Sequence, residues 1–261
     1  MNAAVVQHIT SRDNPLLKEL RRLAQDNTAY RKSGRIWVEG DHLGRAALQR
    51  GWVPELVLAT ETAWPRWSGE FQAAAPRVVV VPDALFEGLT TLESPVGLGF
   101  VLTLPVQQTL QPDAPTVLLD RVQDAGNVGS ILRSAGAFGF RQVLALRGTA
   151  ALWSPKVLRA GMGAHFGLHL VEGLEPDDLA SLRVPRLLTS SHQGDWLHQA
   201  RLPWPCAWVL GHEGQGVRPE LNDTATAWVC IAQPGGEESL NVAAAAAICL
   251  HASASAGGAA P

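Results

Sequence analysis

After Asn14-Pro15, Leu16, Leu17, Leu20 and Leu23 fall on one helical stripe, and Lys18, Arg21, Arg22 and Gln25 fall on another. This spacing predicts an amphipathic helix. Ile36-Trp37-Val38-Glu39 reads as a short strand, and Gly40-Asp41 opens a helix running through Gln49. Buried strands are predicted at 55–59, 77–81 and 97–104. Pro105, Pro112 and Pro115 then interrupt a polar stretch, which marks a linker. Beyond it, Thr116-Val117-Leu118-Leu119-Asp120 reads as a strand ending in an acid, with further strands at 143–146, 186–190, 207–210 and 228–231. Helical segments separate them, the last an alanine-rich stretch over 241–251. The alternation predicts an α/β fold whose C-terminal part is a mostly parallel sheet with helices on both faces, preceded by a small α/β domain. The expected boundaries are a first domain at 1–106, a linker at 107–115 and a second domain at 116–261.

Composition narrows the class. The chain is 46% hydrophobic and 17% charged, enough apolar material for packed cores. No apolar run reaches the roughly 18–20 residues that span a bilayer, so no membrane association is expected. The N-terminus has no basic and apolar leader pattern, and Cys206, Cys230 and Cys249 form neither a disulfide scaffold nor a metal-site spacing. A reducing cytoplasm and no metal are the expectations. The net charge of −3 hides an asymmetry: residues 1–50 carry nine basic and five acidic side chains. Arginine dominates, and its fork suits phosphate. Arg12, Arg21, Arg22, Arg31, Lys32 and Arg35, with Trp37, are therefore candidate contacts to a polyanion, against the plainer reading of a solvated helix face.

Three loops follow predicted strands. The first runs from Asp120 through Gly126, Asn127 and Gly129 to Arg133, with the glycines allowing tight turns and Asn127 as a candidate N-cap. The second, Gly211-His212-Glu213-Gly214-Gln215-Gly216, sets a carboxylate among glycines without the dinucleotide fingerprint. The third passes Ile231, Gln233 and Gly235 to Ser239-Leu240-Asn241-Val242 at the mouth of the last helix, a place that favours an anion. Each has a plain alternative: a capped helix, a polar turn, a helix cap. Together, at carboxyl ends of strands in one sheet, they could converge on one pocket. No Ser/His/Asp arrangement, metal cluster or phosphate loop accompanies them. The residues alone imply a cofactor-binding α/β enzyme without naming its chemistry.

The ordered set Asn127-x-Gly129-x-x-x-Arg133, Gly211-x-Glu213-x-x-Gly216 and Ile231-x-x-x-Gly235-x-x-x-Ser239-Leu240-Asn241-Val242 resembles the three motifs of the SpoU (TrmH-type) RNA 2′-O-ribose methyltransferases of the SPOUT superfamily. Pro155–Ala164 is similar to another family segment, and Ser11-Arg12-x-Asn14-Pro15, Arg31-Lys32 and Val38-Glu39-Gly40 look like the substrate-binding domain of rRNA-type members. The resemblance implies S-adenosylmethionine as methyl donor, an RNA ribose 2′-hydroxyl as acceptor, a homodimer and a trefoil knot. It implies that Thr189, Ser190, Leu210, Gly211, Ile231, Gln233 and Leu240 line the cofactor site, largely through backbone groups. It makes Arg133 the chief catalytic residue and Asn127 its neighbour, with Glu213 anchoring the arginine or the ribose surroundings and Ser239 and Asn241 completing the pocket. Arginine stays protonated in ordinary sites, so Arg133 suits holding phosphate and stabilising a developing alkoxide better than acting as a base. The chain departs from the family at Ala232 and Gln233, where Pro-Met is usual, and at Ala243, where serine is usual. Ribosomal RNA is the expected substrate. The alternatives are a tRNA 2′-O-methyltransferase, a catalytically silent RNA-binding or assembly protein of the same fold and, more distantly, a nucleotide-dependent oxidoreductase.

Overall fold

The computed structural model describes residues 5–106, 108–235 and 239–257. The chain forms two compact units, one made of the residues up to Val106 together with Trp153–Phe166, the other of the remainder.

In the first unit, β1 (Val5–His8), α1 (Pro15–Gln25), α2 (Ala29–Ser33), β2 (Arg35–Glu39), α3 (Asp41–Gln49), β3 (Leu56–Thr60), α4 (Trp64–Phe71), β4 (Arg77–Val81), α5 (Asp83–Phe86) and β5 (Leu98–Thr103) follow in order. The five strands form one mixed sheet in the order β1-β4-β3-β5-β2. The leucine stripe behaves as its spacing predicts: Leu17, Leu20 and Leu23 of α1 are buried against Trp37, Leu58, Val79 and Phe86. Asn14 caps α1, its Oδ1 accepting from the Leu16 amide at 2.9 Å. The first-unit piece from the second half of the chain holds α7 (Pro155–Gly161). Trp52 packs on Trp153 and Phe166 at ring-centroid distances of 5.8 and 5.4 Å. Its indole N–H donates to the Phe166 carbonyl at 3.1 Å. Gly163 sits at φ +88°, where a Cβ would stand 2.6 Å from the Ala46 methyl, so only glycine admits this approach to α3.

The second unit contains β6 (Thr116–Leu119), α6 (Ala125–Ala137), β7 (Gln142–Leu146), β8 (His169–Leu174), β9 (Arg186–Ser190), β10 (Asp195–Trp196), β11 (Ala207–Leu210), β12 (Ala227–Cys230) and α8 (Val242–Ala256). Its seven strands lie in the order β10-β12-β9-β11-β6-β7-β8, and every neighbouring pair is parallel. β6, β7 and β11 are buried along their whole length, which is why they read as unbroken apolar runs. β8 carries His169, Glu172 and Gly173 and showed no such run, so the pattern missed it; β1, β10 and α4 were missed as well. From β6 the chain adds β7 and β8 on one side and then crosses to build the other side, making β6/β11 the place where strand order reverses. Crevices of open parallel sheets form there, at the carboxyl ends. α8 packs against α6 and β11, and the buried Trp208 indole of β11 donates to Ser253 Oγ of α8 at 2.8 Å.

Two local expectations are corrected. Asn127 is not the cap of α6: the cap is Asp124, whose Oδ1 accepts from the Asn127 amide at 2.7 Å. The helix therefore starts at Ala125, and Gly126 and Gly129 are helical residues, not turn glycines. An aspartate three residues upstream makes the stronger cap, because its charge also suits the helix N-terminus.

Candidate active site

Because β12, β9, β11 and β6 are parallel neighbours, their carboxyl ends share one edge of the sheet. Cys230 pairs with Ser190 and Leu210 with Leu119, so the loops after these strands leave side by side, with adjacent strands about 4.8 Å apart. All three loops singled out in the sequence begin on this edge.

The loop after β11 is a tight hairpin. His212 and Gly216 exchange backbone hydrogen bonds at 3.0 and 2.9 Å. The His212 ring closes it from inside, Nδ1 accepting from the amides of Gly214 at 2.9 Å and Gln215 at 3.2 Å, which places the ring proton on Nε2. His212 is thus a brace of the loop. A Cβ on Gly211 would stand 2.2 Å from the Gly216 carbonyl carbon, so the backbone fold of the hairpin itself demands glycine here.

Glu213, exposed at the tip, accepts from Asn127 Nδ2 at 3.2 Å. Asn127 Oδ1 accepts from Asn241 Nδ2 at 2.9 Å. Asn241 Oδ1 accepts from the amides of Ala243 and Ala244 at 2.9 and 3.2 Å, capping α8. One candidate from each loop thus joins a directed chain: carboxylate, amide, amide, helix N-terminus. Each link fixes the orientation of the next, because an amide offers a donor on one side and an acceptor on the other. Arg133 lies exposed on α6, six residues beyond Asn127. Among the described residues its side chain and that of Ser239 have no hydrogen-bond or ion-pair partner. The resemblance gave Glu213 either the arginine or the ribose surroundings to anchor; in the structure the carboxylate holds Asn127.

The candidate cofactor residues divide. Leu210 and Gly211 are buried, Thr189, Ser190, Ile231 and Gln233 half-buried, and Leu240 is 40% exposed. Thr189 Oγ1 donates to the Val209 carbonyl at 2.9 Å, and Ser190 Oγ accepts from the amides of His192 and Gln193. The Thr189 hydroxyl and the Ser190 oxygen serve the fold, which leaves backbone groups and the Ser190 O–H as recognition elements at these strand ends. Gln233 Oε1 is buried without a partner among the described residues. A buried acceptor left this way costs about 1–3 kcal/mol, so it marks a place where a donor belongs. An orphaned acceptor amid neutral strand ends fits a group with an adenine amine, amino-acid N–H donors and a sulfonium. Gly236, Glu237 and Glu238 of the third loop lie outside the described residues.

The cysteines supply no nucleophile. Burial pushes the Cys206 thiol up to about 11 and the Cys249 thiol up to about 12, and Cys230 donates to the Gln193 carbonyl at 2.8 Å. No group of His, Cys, Asp and Glu among the described residues could hold a metal ion, and no described helix is long and apolar enough to cross a membrane.

The polyanion candidates of the first unit also divide. Arg12, Arg22, Arg31 and Lys32 are exposed. Arg21 donates to the Gly88 carbonyl at 3.3 Å. Two candidates are corrected: Arg35 is ion-paired to Glu19 and to Glu55 at 3.3 Å, and Trp37 is 4% exposed in the core.

Sequence reading placed Asp120 at a strand end and at the start of the first loop but missed its pairing with Arg121 and Arg218. Asp120 is fully buried and receives hydrogen bonds from Arg121 and Arg218. The available signal was an acid closing an apolar strand, which packing alone does not explain.

The profile of the SpoU rRNA Methylase family matches residues 114–251, and that of the MRM3-like substrate binding domain matches residues 4–99. The chain is 30% identical over 250 residues to the Bacillus subtilis 23S rRNA (guanosine(2553)-2′-O)-methyltransferase RlmP, covering 94% of this chain and 98% of that one. It is 32% identical over 162 residues to human mitochondrial rRNA methyltransferase 3, covering 59% of this chain and 39% of that one. Among solved structures, the AdoMet-bound rRNA methyltransferase of Sinorhizobium meliloti superposes with a TM-score of 0.83 at 25% identity, over 95% of this chain and 97% of that one. With a parallel sheet whose strand ends gather all three motifs, and with matches running nearly end to end, the chain belongs to the SpoU rRNA Methylase family of S-adenosylmethionine-dependent methyltransferases.

Proposed function

We propose that the chain transfers a methyl group from S-adenosylmethionine to a ribose 2′-hydroxyl of ribosomal RNA. The observation that carries this reading is the hydrogen-bonded chain Glu213–Asn127–Asn241, which joins the three loops at one sheet edge. The RlmP and MRM3-type likenesses support rRNA as the acceptor.

The roles follow from the geometry. The backbone at Leu210, Gly211, Ile231 and Leu240 would hold the cofactor, and Gln233 Oε1 would gain the donor it lacks. When bound, the cofactor supplies an electrophilic methyl group. The ribose hydroxyl is a weak nucleophile, so alignment and charge stabilisation carry the rate. Arg133, exposed and without a side-chain partner among the described residues, takes the backbone phosphate and steadies the alkoxide as the hydroxyl proton passes to solvent water. The Glu213–Asn127–Asn241 chain sets the face of α6 from which Arg133 projects. Arg12, Arg22, Arg31 and Lys32 of the first unit hold the RNA by its phosphates.

A homodimer belongs to the same reading. Over its first nine residues, Val242–Leu250, α8 carries no polar side chain, yet Ile248 is 42% exposed, as a helix covered by a second copy would be. So does the knot: α8 returns to β11 and α6, two strands inward from β12. A cytoplasmic enzyme is the matching location.

The test is tritiated methyl transfer from S-adenosylmethionine to ribosomal RNA, with the product nucleotide mapped by resistance of its 3′ linkage to alkali. Calorimetry with S-adenosylhomocysteine runs in parallel. Saturable binding with methylation of one rRNA site supports the reading. Methylation of tRNA alone, or binding without transfer to any RNA, overturns it.

A further inference from the structure

Asp120 follows β6 and is fully buried. An uncompensated buried carboxylate costs several kcal/mol, so its partners reveal what it is for. Its Oδ1 accepts from Arg218 Nε at 2.6 Å and Arg121 Nε at 3.1 Å. Its Oδ2 accepts from the Arg218 amide at 2.7 Å and Arg121 Nη2 at 3.3 Å. Its own amide donates to the Leu210 carbonyl at 2.8 Å.

These partners enclose the Glu213 hairpin. Leu210 stands before the hairpin and Arg218 after it, so Asp120 ties both feet to the end of β6. Arg121 reaches the middle, Nη1 donating to Gln215 Oε1 at 2.9 Å. Arg121 holds φ +61°, a left-handed conformation unfavourable for a residue with a Cβ. The Thr149 hydroxyl fixes it there, accepting from the Arg121 amide and donating to the Leu119 carbonyl, each at 3.1 Å. The turn that carries this strain also sets the start of α6, because Asp124 caps the helix that bears Asn127.

We infer that the buried Asp120 carboxylate, gripped by Arg121 and Arg218, is the positioning group that holds the Glu213 hairpin in register with Asn127 for methyl transfer. The inference rests on the proposed methyl-transfer function for its catalytic consequence, but its structural content stands apart. One carboxylate governs where both partners of the Glu213–Asn127 bond begin: the hairpin through Arg218 and Arg121, the helix through the turn. Neither arginine contacts the bond itself. Charge is essential, because four donors converge on two oxygens and an amide oxygen and nitrogen cannot serve all four.

The test uses the full chain with Asp120→Asn, Arg218→Lys and Arg121→Gly. Arg121→Gly is the variant that keeps the fold, because glycine occupies φ +61° without strain while the guanidinium is lost. Amide hydrogen exchange is read by mass spectrometry over residues 211–218, with β6 and β11 as internal references. The expected result is exchange in 211–218 at least tenfold faster in Asp120→Asn and Arg121→Gly, with the strands unchanged. Single-turnover methyl transfer should fall at least tenfold while KM for RNA stays within threefold. In a Glu213→Ala background, which removes the acceptor of the Asn127 amide, Asp120→Asn should cost less than threefold more, because both changes act on one bond. Unchanged exchange in 211–218 overturns the inference whatever the activity. Full additivity of the double variant overturns it too, by assigning Asp120 a general stabilising role. Absence of any transfer by the parent chain overturns the proposed function alone, and the exchange measurement still decides the clamp.

Discussion

Asn241 serves two masters, and two substitutions separate them. Its Oδ1 caps α8 through Ala243 and Ala244, and its Nδ2 orients Asn127. Asn241→Ala removes both functions. Loss of an asparagine cap costs about 1 kcal/mol, and loss of an exposed amide–amide bond adds roughly 0.5 kcal/mol. For a domain of this size, the total should lower Tm by about 3–6 °C. Asn241→Asp keeps an equally good cap and gains from the helix dipole, so Tm should stay within about 2 °C of the parent. Its effect on the site is the opposite of conservative. Asn127 would then lie between two carboxylates, and either orientation of its amide turns Oδ1 toward one of them. The Asn127–Glu213 bond, with a charged acceptor, contributes roughly 1.5–3 kcal/mol, so its frustration should slow methyl transfer about tenfold to a hundredfold. Differential scanning calorimetry and single-turnover transfer measured on both variants decide the matter. Asn241→Asp turning over within threefold of the parent would refute the directed chain. A Tm loss in Asn241→Asp equal to that in Asn241→Ala would refute the cap.

The remaining predictions address other parts of the molecule. Arg133→Ala should reduce transfer by about a hundredfold or more, leave S-adenosylhomocysteine affinity unchanged in calorimetry, and shift Tm by less than roughly 2 °C, since the side chain is exposed; near-normal turnover would remove it from the mechanism. Gly211→Ala should destabilise the second unit by about 1–3 kcal/mol in urea unfolding and weaken S-adenosylhomocysteine binding, because its methyl collides with backbone at Gly216; unchanged stability would mean the hairpin yields freely. Burial of Glu39 raises its pKa above the ordinary 4.5 despite the Thr90 hydroxyl at 2.5 Å. The folded state therefore holds this proton longer than the unfolded one, and the contribution to stability falls as pH rises from about 4.5 through the raised value. Glu39→Gln should flatten that slope in urea titrations across pH 4–7, and an unaltered slope would assign it to other groups. Native protein at pH 8 should leave Cys206 and Cys249 unmodified by a thiol-specific reagent, since both are fully buried with raised pKa values; rapid labelling of either would show that α8 opens.

How much of this was legible depended on whether a residue's job is local. Strands buried on both faces leave a continuous apolar signature, so β11 was read to the residue and β6 and β7 nearly so; β9 and β12, half-buried at their ends, were still legible from short apolar cores. β8, with His169, Glu172 and Gly173 interrupting its apolar residues, was invisible to the same reading. The gathering of three loops on one edge followed from parallel strands alone, and the residues in them were visible through motif resemblance. What could not be seen was the partner of each side chain. Glu213 was expected to anchor Arg133 or the ribose surroundings, and the Asn127 amide that it accepts from instead was not foreseen, since Asp124 begins α6 earlier than the loop glycines suggested. Trp37 and Arg35 looked available for RNA, yet one is core and the other is neutralised by two glutamates brought from α1 and the start of β3.

The division of charge in the second unit has a chemical logic. A methyl donor with a sulfonium gains nothing from nearby fixed cations, and the strand ends expected to bind it offer neutral backbone and a buried amide oxygen. The arginines sit elsewhere: Arg121 and Arg218 are spent on Asp120, and Arg133 is held out on α6. Were Arg121 or Arg218 released, each would place an unpaired positive charge beside the hairpin that carries Glu213. That carboxylate would then have a stronger partner than the Asn127 amide, since a guanidinium–carboxylate bond is roughly twice as strong as a neutral one. The buried Asp120 thus does more than hold a loop: by occupying two guanidinium groups, it keeps Glu213 bound to an amide and so preserves the orientation on which the rest of the chain depends.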